Sequence, residues 1–191
     1  AEADGRFIRQ TGGRGQFAVV KLRLESYTPA AGQEPILFED KTKGGVIPRE
    51  FVAAVAEGVG DAATSGPLAG YPMLNIRATL LDGETHPVDS SALAFQQAAV
   101  MAFQAASERA HPVFLEPIMR VEVVTPQDFF GSVTGDLASR RGSITGGEMR
   151  GNAQVIQAMV PLANMFGYVN QLRGMSQGRA QYSMQFDHYA Q

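Results

Sequence analysis

The sequence predicts an α+β protein in two parts, residues 1–116 and 117–191, each combining a layer of strands with helices. Two observations carry this. Apolar residues alternate with polar ones in several short runs, the period of a half-buried strand, and recur every three or four residues in others, the period of a helix. In the second part these runs follow the order β-α-β-β-α-β, which is ferredoxin-like. In the first part strands and helices also alternate, but periodicity alone does not assign their topology.

The elements follow in order. Residues 6–10 read as a strand remnant, and Phe17 to Leu24 as its hairpin partner, with Ala18, Val20, Leu22 and Leu24 on one face and Lys21 and Arg23 on the other. Ser26 to Pro35 is rich in Pro, Gly and small residues and reads as a loop, the one obvious place for disorder. Ile36 to Glu39 makes a short strand. Pro48 suits a first helical turn, and Phe51, Val52, Val55 and Val59 follow at helical spacing until Gly66-Pro67. Met73 to Leu81 alternates as a strand, and Asp82-Gly83 reads as a turn. Asp89 or Ser90 caps the next helix, Ala92 to Arg109, which is apolar nearly all round and therefore well buried. Pro117 marks the joint between the parts, inside the extended run Val113 to Val124. A helix from Pro126 to Arg140 places Phe130, Val133 and Leu137 on one face. Strands Ser143 to Met149 and Ala153 to Pro161 flank a Gly-Asn turn. Met165 to Gly174 is helical, and Ala180 to Tyr189 is the last strand.

Composition narrows the function classes. The chain has 191 residues, 45% of them apolar, enough for a core. It has no Cys, so disulfides and thiolate metal sites are excluded. No apolar stretch reaches the roughly 18 residues of a membrane span, and Ala1-Glu2-Ala3-Asp4 does not open a signal peptide. The expectation is a soluble, cytoplasmic protein without membrane contact. Net charge is −3, with −4 on residues 1–116 and +1 on the rest. That argues against a general nucleic-acid coat but permits a small local contact.

The stretch richest in chemistry is Gln10-Thr11-Gly12-Gly13-Arg14-Gly15-Gln16. Glycine admits positive φ and close approach of another backbone. Arginine offers a planar fork of donors suited to phosphate, and glutamine can read base edges or 2′-hydroxyls. Chemistry alone also allows a plain hairpin turn, the commoner outcome. His86, in the polar run Asp82 to Pro87, reads by itself as an exposed turn residue. Arg140-Arg141 follow a helix, where cations stabilise the dipole. The aromatic residues Phe166, Tyr168, Tyr182, Phe186 and Tyr189 read as core.

Other chemistry is missing. There is no G-x-x-x-x-G-K-[ST] loop for nucleotide phosphates. His86, His111 and His188 are too far apart in sequence to suggest a metal site, and none is expected. His86, Asp89, Ser90 and Ser91 share one short loop, and capping explains them better than a catalytic triad.

Long motifs across nearly the whole chain carry a resemblance. Thr11 to Gln16, Gly44 to Glu50, Leu68 to Pro72 and Val88 to Ser91 resemble domain IV of elongation factor G, the translational GTPase that drives translocation on the ribosome. Leu115 to Met119, Ser139 to Gly142, Arg150 to Asn152, Met165 to Tyr168 and Phe186 to Tyr189 resemble domain V of the same family.

The resemblance implies two two-layer α/β sandwich domains. The first would be a split β-α-β fold with a left-handed crossover, as in a small-subunit ribosomal protein and against the usual handedness rule. The second would be ferredoxin-like. It implies a C-terminal fragment with no GTPase activity of its own, with GTP and magnesium on the missing N-terminal domain. It implies a monomer whose partner is the ribosome. Gln10, Thr11, Gly12, Gly13, Arg14, Gly15 and Gln16 would stand beside His86 at the domain IV tip, touching the decoding centre, the tRNA anticodon arm and mRNA. Arg140 and Arg141 would meet the large subunit near the stalk base.

The chain also departs from the family. Phe17-Ala18-Val19-Val20 stands where members commonly carry Tyr-Gly-His-Val, and residues 84–87, Gln96-Gln97 and the Lys-free Ala-rich helix also differ. These departures keep two alternatives open: a recycling paralogue that splits subunits, or a ribosome-protection protein. The near-standard tip favours the translocase.

Overall fold

A computed structural model describes residues 1–191. The chain folds as two compact units, Ala1–Val113 and Phe114–Gln191.

In the first unit, β1 (Glu2–Arg9) and β2 (Gln16–Ser26) form an antiparallel hairpin. β3 (Ile36–Asp40) lies parallel to β4 (Ile76–Glu84), which pairs antiparallel with β2, giving the order β1-β2-β4-β3. The helices are α1 (Arg49–Ala63) and α2 (Ala92–Arg109). Alternation places Ala18, Val20, Leu22 and Leu24 in the core, against Val55, Val59, Phe95 and Phe103. Burying each of the large side chains stabilises the unit by about 2 kcal/mol. Helix α2 contributes Ala94, Ala98, Ala99, Ala102 and Ala106 to this core. Their small side chains let the helix sit so close to β1 that a Cβ on Gly5 would collide with the Ala98 carbonyl.

Four expectations change here. β1 begins at Glu2 rather than residue 6, because Glu2 to Arg9 all pair with β2. Asp82-Gly83 is not a turn: β4 continues through it, just past a bulge in which Leu81 is left unpaired opposite the Lys21/Leu22 step of β2. The residue that caps α2 is Ser91, whose side chain accepts from the Ala94 N–H at 3.1 Å. Asp89 and Ser90 are used elsewhere. The 26–35 loop is closed on itself, with Gln33 Oε1 accepting from both the Tyr27 hydroxyl and the Ala30 N–H at 2.9 Å.

In the second unit, β5 (Glu116–Pro126), β6 (Ser143–Arg150), β7 (Ala153–Pro161) and β8 (Gln181–Ala190) form a sheet of order β6-β7-β5-β8 with antiparallel pairs throughout. With α3 (Phe130–Ser139) and α4 (Tyr168–Ser176) this is the ferredoxin-like order. Val121, Val123, Ile156, Ala158 and Val160 pack against Val133, Leu137, Tyr168 and Leu172. Helix α4 starts three residues later than its apolar pattern suggests, since Leu162–Asn164 form a 3-10 turn and Gly167 sits at φ 76°.

The aromatic residues divide. Tyr168 is fully buried and meets Tyr182 edge-on at 5.0 Å. Phe166, Phe186 and Tyr189 are instead exposed, by 77%, 52% and 43%. Phe166 lies in the connection before α4. Phe186 and Tyr189 lie beyond the last core residue of β8, Met184, and pack on each other at 5.0 Å.

Candidate nucleic-acid interface

Gln10 to Gly15 link β1 to β2, whose last pair is Arg9 with Gln16. Gly12 lies at φ 64° and Gly13 at φ 150°, both in the region that favours glycine, and no atom lies within 4 Å of a Cβ built on either. These glycines are therefore required by backbone shape, and they leave the turn surface bare. Gly15 is different: a Cβ there would stand 2.9 Å from both the Arg9 carbonyl and Asp89 Oδ2. Its missing side chain is what lets the second loop come against the hairpin.

That second loop runs from the end of β4 to Ser91. The Phe17 N–H donates to the Asp89 carbonyl at 2.9 Å. The Ser90 hydroxyl donates to the Phe17 carbonyl at 2.7 Å and accepts from the His86 N–H at 2.8 Å. One hydroxyl thus joins residues 73 positions apart in the chain. The rings of Phe17 and His86 lie 5.8 Å apart. The glycine turn and the His86 turn form one end of the unit.

His86 is held by its own loop. Nδ1 accepts from the Val88 N–H at 3.2 Å and the Asp89 N–H at 3.0 Å. Two donors aimed at Nδ1 make it the acceptor, so the neutral ring carries its proton on Nε2. Asp89 Oδ2 lies 3.6 Å from Nδ1, a contact that would count only for a protonated ring. Nε2 has no partner within the chain. The Ser90 proton is committed to a backbone carbonyl, and His86 reaches Ser90 only through its backbone, so the loop holds no nucleophile–base pair.

Gln10, Thr11, Gly12, Gly13 and Arg14 are exposed, and Gly15 and Gln16 half-buried. Arg14 makes no ion pair. The turn therefore offers a free guanidinium, a free imidazole N–H, amide side chains and bare backbone. That set can pack against a sugar–phosphate backbone and donate to its oxygens.

Arg140 and Arg141 belong to the second unit, and their side chains part ways. Arg140 turns inward. Its Nε donates to Asp136 Oδ2 at 2.9 Å, one Nη donates to the Asn164 carbonyl at 2.7 Å, and the guanidinium stands 5.0 Å from the Tyr168 ring centre. Arg141, at φ 62°, donates to both Glu116 oxygens, at 2.6 and 3.3 Å, and its side chain stays 59% exposed. The hydrogen bond to Glu116, and then its charge, raise the Arg141 pKa further above the usual arginine value. Sequence reasoning missed the Ser90 bridge and the role of Gly15. The one signal was the consecutive Ser90-Ser91, of which only one can cap a helix.

Residues 1–111 match the family model of elongation factor G, domain IV, and residues 113–191 that of the elongation factor G C-terminus. The chain is 56% identical over its full 191 residues to elongation factor G of Rhodopseudomonas palustris (strain BisB18), and spans 27% of that protein's length. A crystal structure from Thermus thermophilus superposes on the whole chain with a TM-score of 0.91 at 45% identity, the chain covering 28% of it. The chain belongs to the elongation factor G family, of which it carries domain IV and the C-terminal domain.

Proposed function

We propose that this chain is the ribosome-binding C-terminal part of a translational GTPase that promotes movement of tRNA and mRNA during protein synthesis. The observation that carries the reading is the latched end of the first unit, where Arg14 and His86 Nε2 point donors outward with no partner in the chain. Arg14 would contact phosphate, Gln16 a sugar or base edge, and His86 a 2′-hydroxyl or phosphate oxygen of the anticodon arm or messenger at the decoding centre. The end works as a blunt wedge that stops the codon–anticodon duplex slipping back.

Hydrolysis of GTP with magnesium belongs to a part of the protein outside these residues. The chain offers neither a P-loop nor a cluster of three or more His, Asp or Glu placed to hold a metal. In the second unit, Arg141 is the candidate contact with the large subunit near the stalk base, and Arg140 acts as its support. The protein would act as a single copy in the cytoplasm; no helix is long and apolar enough to cross a membrane.

The test is a full-length factor carrying Gly13→Val, assayed for translocation and for subunit splitting. Valine strains the turn at φ 150°, and its Cβ would meet open space on the bare face. Slowed translocation with normal GTP hydrolysis supports the reading. Normal translocation overturns it, and a selective loss of subunit splitting would favour the recycling alternative.

A further inference from the structure

We infer that a third loop, Lys41 to Pro48, together with Arg49 at the start of α1, is a phosphate-contacting part of the same end, with Lys43 and Arg49 as its ligands for an RNA backbone. The inference rests on the proposed function and adds residues to it. Topology places the loop. β3 runs parallel to β4, with Asp40 opposite Leu80, and the Lys41 N–H still donates to the Leu80 carbonyl at 2.9 Å. Beyond that point β4 continues to Glu84 and into the His86 loop, so both strands leave the sheet toward the glycine turn. Ile47 is 4% exposed and packs where Gly83 lacks a side chain: a Cβ on Gly83 would lie 3.1 Å from Ile47 Cγ1. The third loop is therefore fastened to the segment of β4 that delivers His86.

The loop is also shaped. Asp40 Oδ1 accepts from the Thr42 N–H at 2.9 Å and from its hydroxyl at 2.6 Å, which fixes the exit from β3. The Val46 N–H reaches the Lys43 carbonyl at 3.4 Å across Gly44 and Gly45, both at φ 65°. Nothing lies within 4 Å of a Cβ on either glycine, so the turn is bare like the one at Gly12-Gly13.

The charges have no structural use. Lys43 and Arg49 are exposed and make no ion pair, while Lys41 only approaches Glu39 at 3.9 Å. Of the neighbouring carboxylates, Glu39 faces Lys41, Asp40 accepts from Thr42 and keeps its charge, and Glu50 follows Arg49 in the first turn of α1; none is ion-paired with Lys43 or Arg49. Lys43 and Arg49 are thus the two cations of this anchored, glycine-bare segment that have no ion pair, and their donors suit the phosphates of a polyanion backbone. The surface is open, which suits a strand running across it.

The test is the binding of a fluorescently labelled RNA hairpin with an unpaired loop to the 191-residue chain across a salt series. Removing one phosphate ligand should lower the slope of log K against log salt by about 0.7. Lys43→Ala should show one such step, and the double variant Lys43→Ala/Arg49→Ala two, with unchanged thermal unfolding. Unchanged slopes in both variants, with Arg14→Ala still lowering the slope, would overturn the third contact and leave the tip reading standing. No change in any variant, or no binding by the unaltered chain, would overturn both.

Discussion

Arg14 and Arg140 are the same side chain put to opposite uses. Arg14 sits in a turn whose shape is set by glycine φ values and by a hydroxyl bridge at Ser90, so the guanidinium has no task inside its unit. Arg140 ties the end of α3 to Asn164 and stacks over Tyr168, so its donors are mostly spent. At the glycine turn and the His86 loop, backbone and small polar groups hold the structure and leave Arg14 free. In the second unit a charged group does the holding. A motif rich in arginine is therefore a binding surface only where something else supplies the structure.

The contrast can be broken by measurement, starting with the largest effect. The Tyr168 hydroxyl is buried without a hydrogen-bond partner, and burial first, then the Asp136 charge, pushes its pKa from 10.0 up to about 12. The unfolded chain releases that proton near pH 10 and the folded unit does not. The contribution is whole below pH 10, and stability should fall by about 2–3 kcal/mol as pH rises toward 12. Urea denaturation across that range should show the fall, and Tyr168→Phe should abolish it at little cost near neutrality.

Arg140→Ala should destabilise the second unit by about 2 kcal/mol, because the mostly buried Asp136 carboxylate and the Asn164 carbonyl lose their donor. A loss under a quarter of that would end the claim that Arg140 is structural. Ser90→Ala should cost about 1 kcal/mol and should speed amide exchange at His86, whose N–H loses its acceptor. Equal exchange would show that Ser90 does not bridge the loops. Arg14→Ala should change stability by less than about 0.5 kcal/mol while lowering the RNA salt slope by about 0.7. A variant that unfolds more easily would put Arg14 with Arg140.

Much of the second unit was legible because each strand and helix shows its own period. Val121 and Val123, Val133 and Leu137, and Ile156, Ala158 and Val160 all point inward as their spacing requires, while Phe130 stays exposed because α3 begins only there, after a 3-10 turn at Gln127–Phe129. What escaped the sequence depends on contacts between distant segments. Asp82-Gly83 looks like a turn until Val19 and Ile47 are seen crowding the missing Cβ of Gly83. Phe186 and Tyr189 look like core until the sheet is seen to outrun its packed interior. The glycine turn and His86 were brought together in the sequence only by family resemblance. No local pattern reports that Ser90 reaches across to Phe17. Arg140 and Arg141 could not be told apart, since the difference lies in which partner each side chain meets.

The most direct measurement is an NMR titration of the chain with the RNA hairpin, following side-chain N–H signals of arginine and histidine. The account predicts that the His86 ring shows an acceptor-type Nδ1 and a protonated Nε2 before RNA is added, and that Nε2–H and the Arg14 Nε–H shift on binding while the Arg140 Nε–H stays still. A His86 ring protonated on Nδ1 and silent at Nε2, with the Arg140 signal moving instead, would contradict it.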